Sequence, residues 1–360
     1  MRISAMAQML VSEADFTLPD PALVASRLIE HMAEHDVVCE TSGASTTAHL
    51  GIGSGVLEAT QSCLKVRVEA PDLGALELLR EFVVSHVAEF ADGVKPAFAW
   101  RGNVSKGARL ANFREVRLKS AVDLTPRMRR LTFTGDVARF AGDEEIHVRL
   151  YFPPEGVSEP EWPRPGADGG IVWPSDEKRP EVRYYTVRRA DVEAGEIEID
   201  VLLHDDAGPG SAFASAARPG AICGMAGPVG RIAPVSDWTL LAGDETALPA
   251  IARMLELMPD EARGLALIEV DGPADELPIR TPEGVALRWI HRTTEPSERP
   301  LVDAIRTAEI PSNSSDAYIW VACEHGDAKA IRSHLRTDRG LQRDRHQVVG
   351  YWERSTEAHA

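Results

Sequence analysis

Glu196-Ile197-Glu198-Ile199-Asp200-Val201-Leu202-Leu203-His204, running into Asp205-Asp206-Ala207-Gly208-Pro209-Gly210-Ser211, is the most informative stretch of the chain. Ile197, Ile199, Val201 and Leu203 share one face, and Glu196, Glu198, Asp200 and Leu202 the other. Such alternation marks a half-buried β-strand. The glycine-rich turn then feeds a helical run from Ala212 to Ala217. Its backbone N–H groups, with a helix N-terminus behind them, suit an anion such as a diphosphate. A plain strand–turn–helix joint with Ser211 as N-cap reads the same way.

Upstream, Arg183-Tyr184-Tyr185-Thr186, continued by Val187, lies on another alternating segment. Arg183 could pair bidentately with a diphosphate. Tyr185, on the same face, could lay its ring on a flat cofactor, and Thr186 could hydrogen-bond that cofactor's reactive edge. The alternative is a surface arginine beside two space-filling aromatics. Arg114 to Ser120, Arg129 to Thr134 and Ile146 to Phe152 also alternate, so this region predicts a small closed antiparallel β-barrel. Pro153 to Pro180 reads as a long surface excursion. Gly227-Pro228-Val229-Gly230 suits a tight strand end where a ring approaches the backbone.

Downstream from Trp238, strand-like and helix-like runs alternate, which predicts a parallel sheet. Gly243-Asp244-Glu245-Thr246-Ala247 follows its first strand and opens a helix from Glu245 to Met258. Ligands in open α/β sheets bind at such strand ends, although the G-x-G-x-x-G dinucleotide fingerprint is absent. Acidic residues there are also ordinary helix-start chemistry. The N-terminal stretch holds two helices, Pro19 to Asp36 with Asp20 as N-cap and Asp72 to Phe90, among short strands. Three domains are therefore expected: a small α+β domain over 1–100, a flavin-holding barrel over 112–235 and an α/β nucleotide domain over 236–356.

The 360 residues are 44% hydrophobic and 26% charged, as in ordinary globular proteins, with a formal net charge of −17. That charge argues against nucleic acid or an anionic membrane as the general partner. Neither a signal peptide nor a membrane span is expected, and four scattered cysteines, Cys39, Cys63, Cys223 and Cys323, suit free thiols in a reducing cytoplasm. A basic cluster comprising Lys329, Arg332, Arg336, Arg339, Arg343 and Arg345 stands out against the acidic background. Lys329, Arg332 and Arg336 share one helix face, either as solvated surface or as a dock for an anionic chelate. His31-Met32-Ala33-Glu34-His35 matches an H-x-x-E-H zinc pattern. Val24 and Leu28 continue the stripe of both histidines, so packing is the simpler reading, with His86 on the second helix placed to meet them.

With these residues in view, the chain resembles the siderophore-interacting protein family, flavin-dependent ferric-siderophore reductases related to ferredoxin–NADP reductases. The resemblance runs from Phe113 to Arg354. It is carried by Arg130-Leu131-Thr132-Phe133, the run Trp238 to Ala250 and the closing Gly350-Tyr351-Trp352. It implies a flavin barrel followed by a nicotinamide domain, with FAD and NAD(P)H as cofactors and a ferric siderophore as substrate. Arg183, Tyr185 and Thr186 match the family's flavin motif, His204 with Gly208 to Ser211 its second flavin segment, and Gly243 to Ala247 its nucleotide loop. Three positions depart from the family pattern. Tyr184 stands where proline is usual, Gly210 where alanine is commoner, and Cys323 where glycine is expected. Residues 1–100 are similar to a small domain of unknown function found attached to such reductases. Two rival expectations are a flavin or ferredoxin reductase that meets no siderophore, and a non-catalytic iron or siderophore carrier.

Overall fold

The computed structural model describes residues 9–34, 37–94, 96–104, 109–204, 208–294, 297–311 and 317–354. The chain divides into two compact units. One comprises Met1–Arg114, Pro153–Glu181 and Gly224–Val229; the other comprises Glu115–Phe152, Val182–Cys223 and Gly230–Ala360.

The first unit is built on β1 (Leu10–Thr17), α1 (Pro21–Glu34), β2 (Val38–Ser42), β3 (Ser45–Leu50), β4 (Gly53–Ala59), β5 (Cys63–Ala70), α2 (Leu73–Phe90) and β6 (Arg101–Gly102). Its antiparallel sheet has the order β2-β3-β4-β5-β1-β6. Both helices begin where their capping residues stand: Asp20 accepts from the Leu23 N–H at 3.0 Å and Asp72 from the Ala75 N–H at 3.0 Å. On β5, Leu64, Val66 and Val68 are buried between exposed Lys65 and Arg67, and they meet Leu28 of α1 with Leu76 and Leu79 of α2 in one core. His31 and His86 do meet, with ring centroids 4.6 Å apart. His35 lies outside the described residues, among which no three metal-ligating side chains converge.

The barrel is formed by β7 (Phe113–Asp123), β8 (Met128–Thr134), β9 (Glu145–Phe152), β12 (Glu181–Asp191), β13 (Glu196–Leu202) and β14 (Ile222–Arg231), closed in the order β12-β13-β8-β7-β14-β9. The excursion after β9 carries two short strands, β10 (Arg164–Pro165) and β11 (Ile171–Val172), paired with each other. Strand β13 pairs in register with β8, setting Ile197 beside Phe133 and Ile199 beside Leu131. All four side chains are fully buried, which is why the alternation is strict there. Helix α3 (Pro209–Ala216) starts earlier than the sequence suggested, because Pro209 takes the first helical position and Gly208 the N-cap.

The parallel sheet has the order β17-β16-β15-β18-β19, from β15 (Trp238–Gly243), β16 (Gly264–Val270), β17 (Val285–His291), β18 (Ala317–Glu324) and β19 (His346–Trp352). Helices α4 (Leu248–Leu257), α5 (Pro300–Thr307) and α6 (His325–Ser333) separate the strands. Adjacent Leu240 and Leu241 enter opposite cores, so both faces of β15 are covered. Chain order reverses about β15, whose neighbours are β16 and β18. The carboxyl end of β15 therefore lies at a topological switch point. Met128 and Ile146 of the barrel strands are buried in the same core as Leu241, Ile251 and Met254.

Candidate flavin and nucleotide sites

Along β12 the side chains differ sharply in exposure. Arg183 is exposed and Tyr184 is 66% exposed, Tyr185 is half-buried, and Thr186 and Val187 are buried. The Arg183 guanidinium donates to the Val182 carbonyl at 2.7 Å. The Tyr185 ring meets Phe152 edge-on at 6.1 Å, and burial pushes its phenol up to about 12. Its hydroxyl rests against Gly210, where a Cβ would lie 1.7 Å from the oxygen. Glycine at 210 is thus what lets the first turn of α3 approach Tyr185. The two segments that the sequence singled out separately are brought together by this contact.

The rest of the second segment follows from the helix start. His204 is exposed, and its N–H donates to the Ser211 hydroxyl at 3.3 Å. Ser211 is buried inside the first turn of α3, so it is not the cap. Gly208 caps without a side chain, so among the described residues no N-cap side chain claims the N–H groups that follow Pro209. Asp205, Asp206 and Ala207 lie outside the described residues. An exposed guanidinium, an aromatic strand and a helix N-terminus capped by glycine and held close by Gly210 form a donor set that fits a flavin with its diphosphate.

At the switch point Gly243 ends β15. A Cβ there would lie 2.5 Å from both the Ala247 Cβ and the Ala322 carbonyl oxygen, so the tight turn demands glycine. Asp244 accepts from the Thr246 N–H at 2.9 Å, the Thr246 hydroxyl at 2.5 Å and the Trp352 indole N–H at 2.8 Å. Burial nevertheless pushes its carboxyl up to about 6, against the pull of those donors. Because this turn is closed by Asp244, α4 begins at Leu248 rather than Glu245. Glu245 is buried in an ion pair with Arg292, which also donates to Glu269 at 2.9 Å. Its side chain is therefore committed to the protein's own arginine, while Thr246 and Ala247 carry the turn into the helix.

The predicted basic face is only partly free. Lys329 is exposed, but Arg332 donates to the Val348 carbonyl at 2.6 Å and Arg336 to the His346 imidazole at 3.1 Å. Both tie the α6 region to β19. Several polar contacts escaped sequence reasoning. The His147 and Tyr351 side chains lie 2.7 Å apart, and burial beside Arg253 lowers the imidazole to about 4. Arg253 of α4 and Arg188 of β12 each bridge barrel and sheet. One signal was available: Arg253 sits inside the apolar run from Leu248 to Leu255, where an unpaired charge is costly.

A closed antiparallel barrel is followed by a parallel sheet whose switch point lies at the second site. Residues 117–232 match the siderophore-interacting FAD-binding domain and residues 236–355 the siderophore-interacting protein model; residues 13–101 match a family described only as an uncharacterized protein conserved in bacteria. The ferric vibriobactin reductase ViuB of Vibrio cholerae is 32% identical over 229 residues, covering 62% of this chain and 83% of that one. Among solved structures, a siderophore utilization protein from T. fusca shares 35% identity at a TM-score of 0.60, covering 68% of this chain and 94% of that one. The siderophore-interacting protein SipS of Aeromonas hydrophila shares 30% at 0.58, covering 68% and 93%. The chain belongs to the siderophore-interacting protein family, and it carries that family's FAD-binding domain.

Proposed function

We propose that the protein passes electrons from NAD(P)H through FAD to Fe(III) held in a siderophore, releasing Fe(II) for use in the cytoplasm. The observation that carries this reading is the Tyr185–Gly210 contact, which unites the two flavin segments in the unit that also holds the Gly243–Ala247 loop. The flavin, when bound, accepts a hydride and gives up electrons singly; the protein positions it and tunes it. Arg183 and the N-terminus of α3 hold the diphosphate. Tyr185 and Thr186 orient the ring and its reactive edge, with Tyr184, Val187 and His204 completing the pocket. Gly243 to Ala247 receive the nicotinamide nucleotide through a backbone that only glycine at 243 permits. Hard oxygen ligands hold Fe(III) far more firmly than Fe(II), so reduction loosens the chelate. Lys329, with Arg332 and Arg336 beside it, attracts an anionic chelate to an otherwise acidic protein.

ViuB and a ferric acinetobactin reductase from Acinetobacter baumannii, 28% identical over 187 residues, support the reductase reading by name. Purified protein should be yellow, bleach under anaerobic NADH or NADPH, and regain colour on adding a ferric siderophore. Bleaching without reoxidation by any ferric chelate favours a reductase of another acceptor; a colourless folded protein that refuses FAD favours a carrier. Arg183→Ala should lose most of its flavin, read as the visible-to-ultraviolet absorbance ratio. Full occupancy in that variant removes Arg183 from the site.

A further inference from the structure

We infer that Arg253 and Glu256, about one turn apart on α4, are positioning residues that fix the strand bearing Arg183–Thr186 relative to the nucleotide loop opening that same helix. The inference rests on reading this centre as one of hydride transfer. Arg253 is only 6% exposed, in a helix whose sole other charged residue is Glu256. A guanidinium so placed must be fully engaged. One of its nitrogens donates to the Val187 carbonyl at 2.5 Å; another donates to the Gly142 carbonyl at 2.6 Å and to Asp143 at 3.2 Å. The next strand residue, Arg188, makes a two-pronged pair with Glu256, one prong at 2.7 Å. Arg188 also lies 4.0 Å from buried Asp200, which Arg130 grips at 2.7 and 2.8 Å.

Residues 187 and 188 follow Thr186 directly, and α4 follows the Gly243–Ala247 loop directly. One helix thus holds the flavin strand through Arg253 and Glu256 and begins at the nucleotide loop. Because Arg253 grips a main-chain carbonyl, it fixes the strand itself rather than a side-chain rotamer. Apolar packing of Met128 and Ile146 against α4 already fastens barrel to sheet. The polar set adds what packing lacks, a defined direction and register. Donor and acceptor rings react only at close approach, and a misplacement of ~1 Å costs on the order of 100-fold in rate.

The test uses the full-length flavin-loaded protein with Arg253→Met, Arg253→Lys and Glu256→Gln. Flavin content, the visible circular dichroism of the bound flavin, ADP-ribose affinity by calorimetry and the anaerobic bleaching rate at saturating nucleotide are measured for each. Arg253→Met should keep flavin and ADP-ribose binding, alter the flavin dichroism and slow bleaching by about 10- to 100-fold, with Arg253→Lys partly restoring both. Wild-type dichroism and bleaching rate in Arg253→Met overturn the inference, whatever happens to its melting temperature. Should Arg253→Met fail to fold, Glu256→Gln decides by the same two readouts. A wild-type protein that neither NADH nor NADPH bleaches defeats the proposed function instead. The clamp is then judged by flavin dichroism alone, and an unchanged spectrum defeats it too.

Discussion

Gly210 shows how much a single hydrogen can decide. The family pattern implied by resemblance favours alanine here, yet an added Cβ would penetrate the Tyr185 hydroxyl. Gly210→Ala must therefore push Tyr185 or the start of α3 aside, and overpacking of this kind costs about 1–3 kcal/mol. Part of that cost should appear as weaker FAD affinity, roughly 10-fold or more by titration of the apoprotein. Tyr185→Phe in the same background should recover some of the loss by removing the oxygen. A Gly210→Ala protein with wild-type affinity would show that Tyr185 and α3 are free to separate. The pair was invisible in the sequence, because nothing in either segment announces which residue of the other it touches.

Strands and helices were legible to different depths, for physical reasons. Strands β8 and β13 could be read from alternation because Leu131, Phe133, Ile197 and Ile199 share a buried face. The alternation expected over Ile146 to Phe152 instead gives way to an unbroken buried run from Val148 to Phe152. Asp20 and Asp72 marked true helix starts because a carboxylate at the N-cap has few better uses. The starts of α3 and α4 were misjudged. A proline at the first position moved one forward, and the side-chain turn of Asp244 held the other back. Lys329 and Arg332 were legible on α6, but Arg336 falls in a π-helical turn after α6 ends at Ser333. The hydrogen bonds were not legible, since Val348 and His346 lie on a separate strand. Two different outcomes follow on that helix. Lys329→Glu, at an exposed position, should leave the melting temperature alone and raise KM for an anionic ferric chelate several-fold. Arg332→Glu strips a donor from the Val348 carbonyl, and a carbonyl left without its partner costs ~1–3 kcal/mol, so it should lower the melting temperature. An unchanged KM in Lys329→Glu would assign that lysine to ordinary surface.

Across the second unit, two buried titrating groups oppose one another. Asp244 is raised from 3.8 to about 6, so the folded protein keeps a proton that the unfolded chain releases. Its contribution is full in acid and is lost as pH rises toward and through about 6. His147 is lowered from 6.5 to about 4, so its contribution is full above 6.5 and is lost as pH falls through 4. Each amounts to roughly 3 kcal/mol at most, with opposite signs over nearly the same range. Asp244→Asn should therefore make stability fall more steeply than wild type between pH 6 and 4, and His147→Gln less steeply. Calorimetric difference curves against wild type check both; two flat difference curves would mean that neither group titrates there. Sequence inspection could name Asp244 as a loop residue but not its burial, which depends on Trp352 arriving from the last strand.

The shared burial of Met128 and Ile146 with α4 bears on protein engineering. A cut near residue 235 looks natural for building chimeras, since the chain changes character there. Grafting the sheet half of a relative onto this barrel would nonetheless bare those two side chains against a foreign helix. It would also strand the carbonyls of Val187 and Gly142 unless the donor chain brought its own arginine. Successful recombinants should be those whose crossover carries α4 together with the barrel surface it covers.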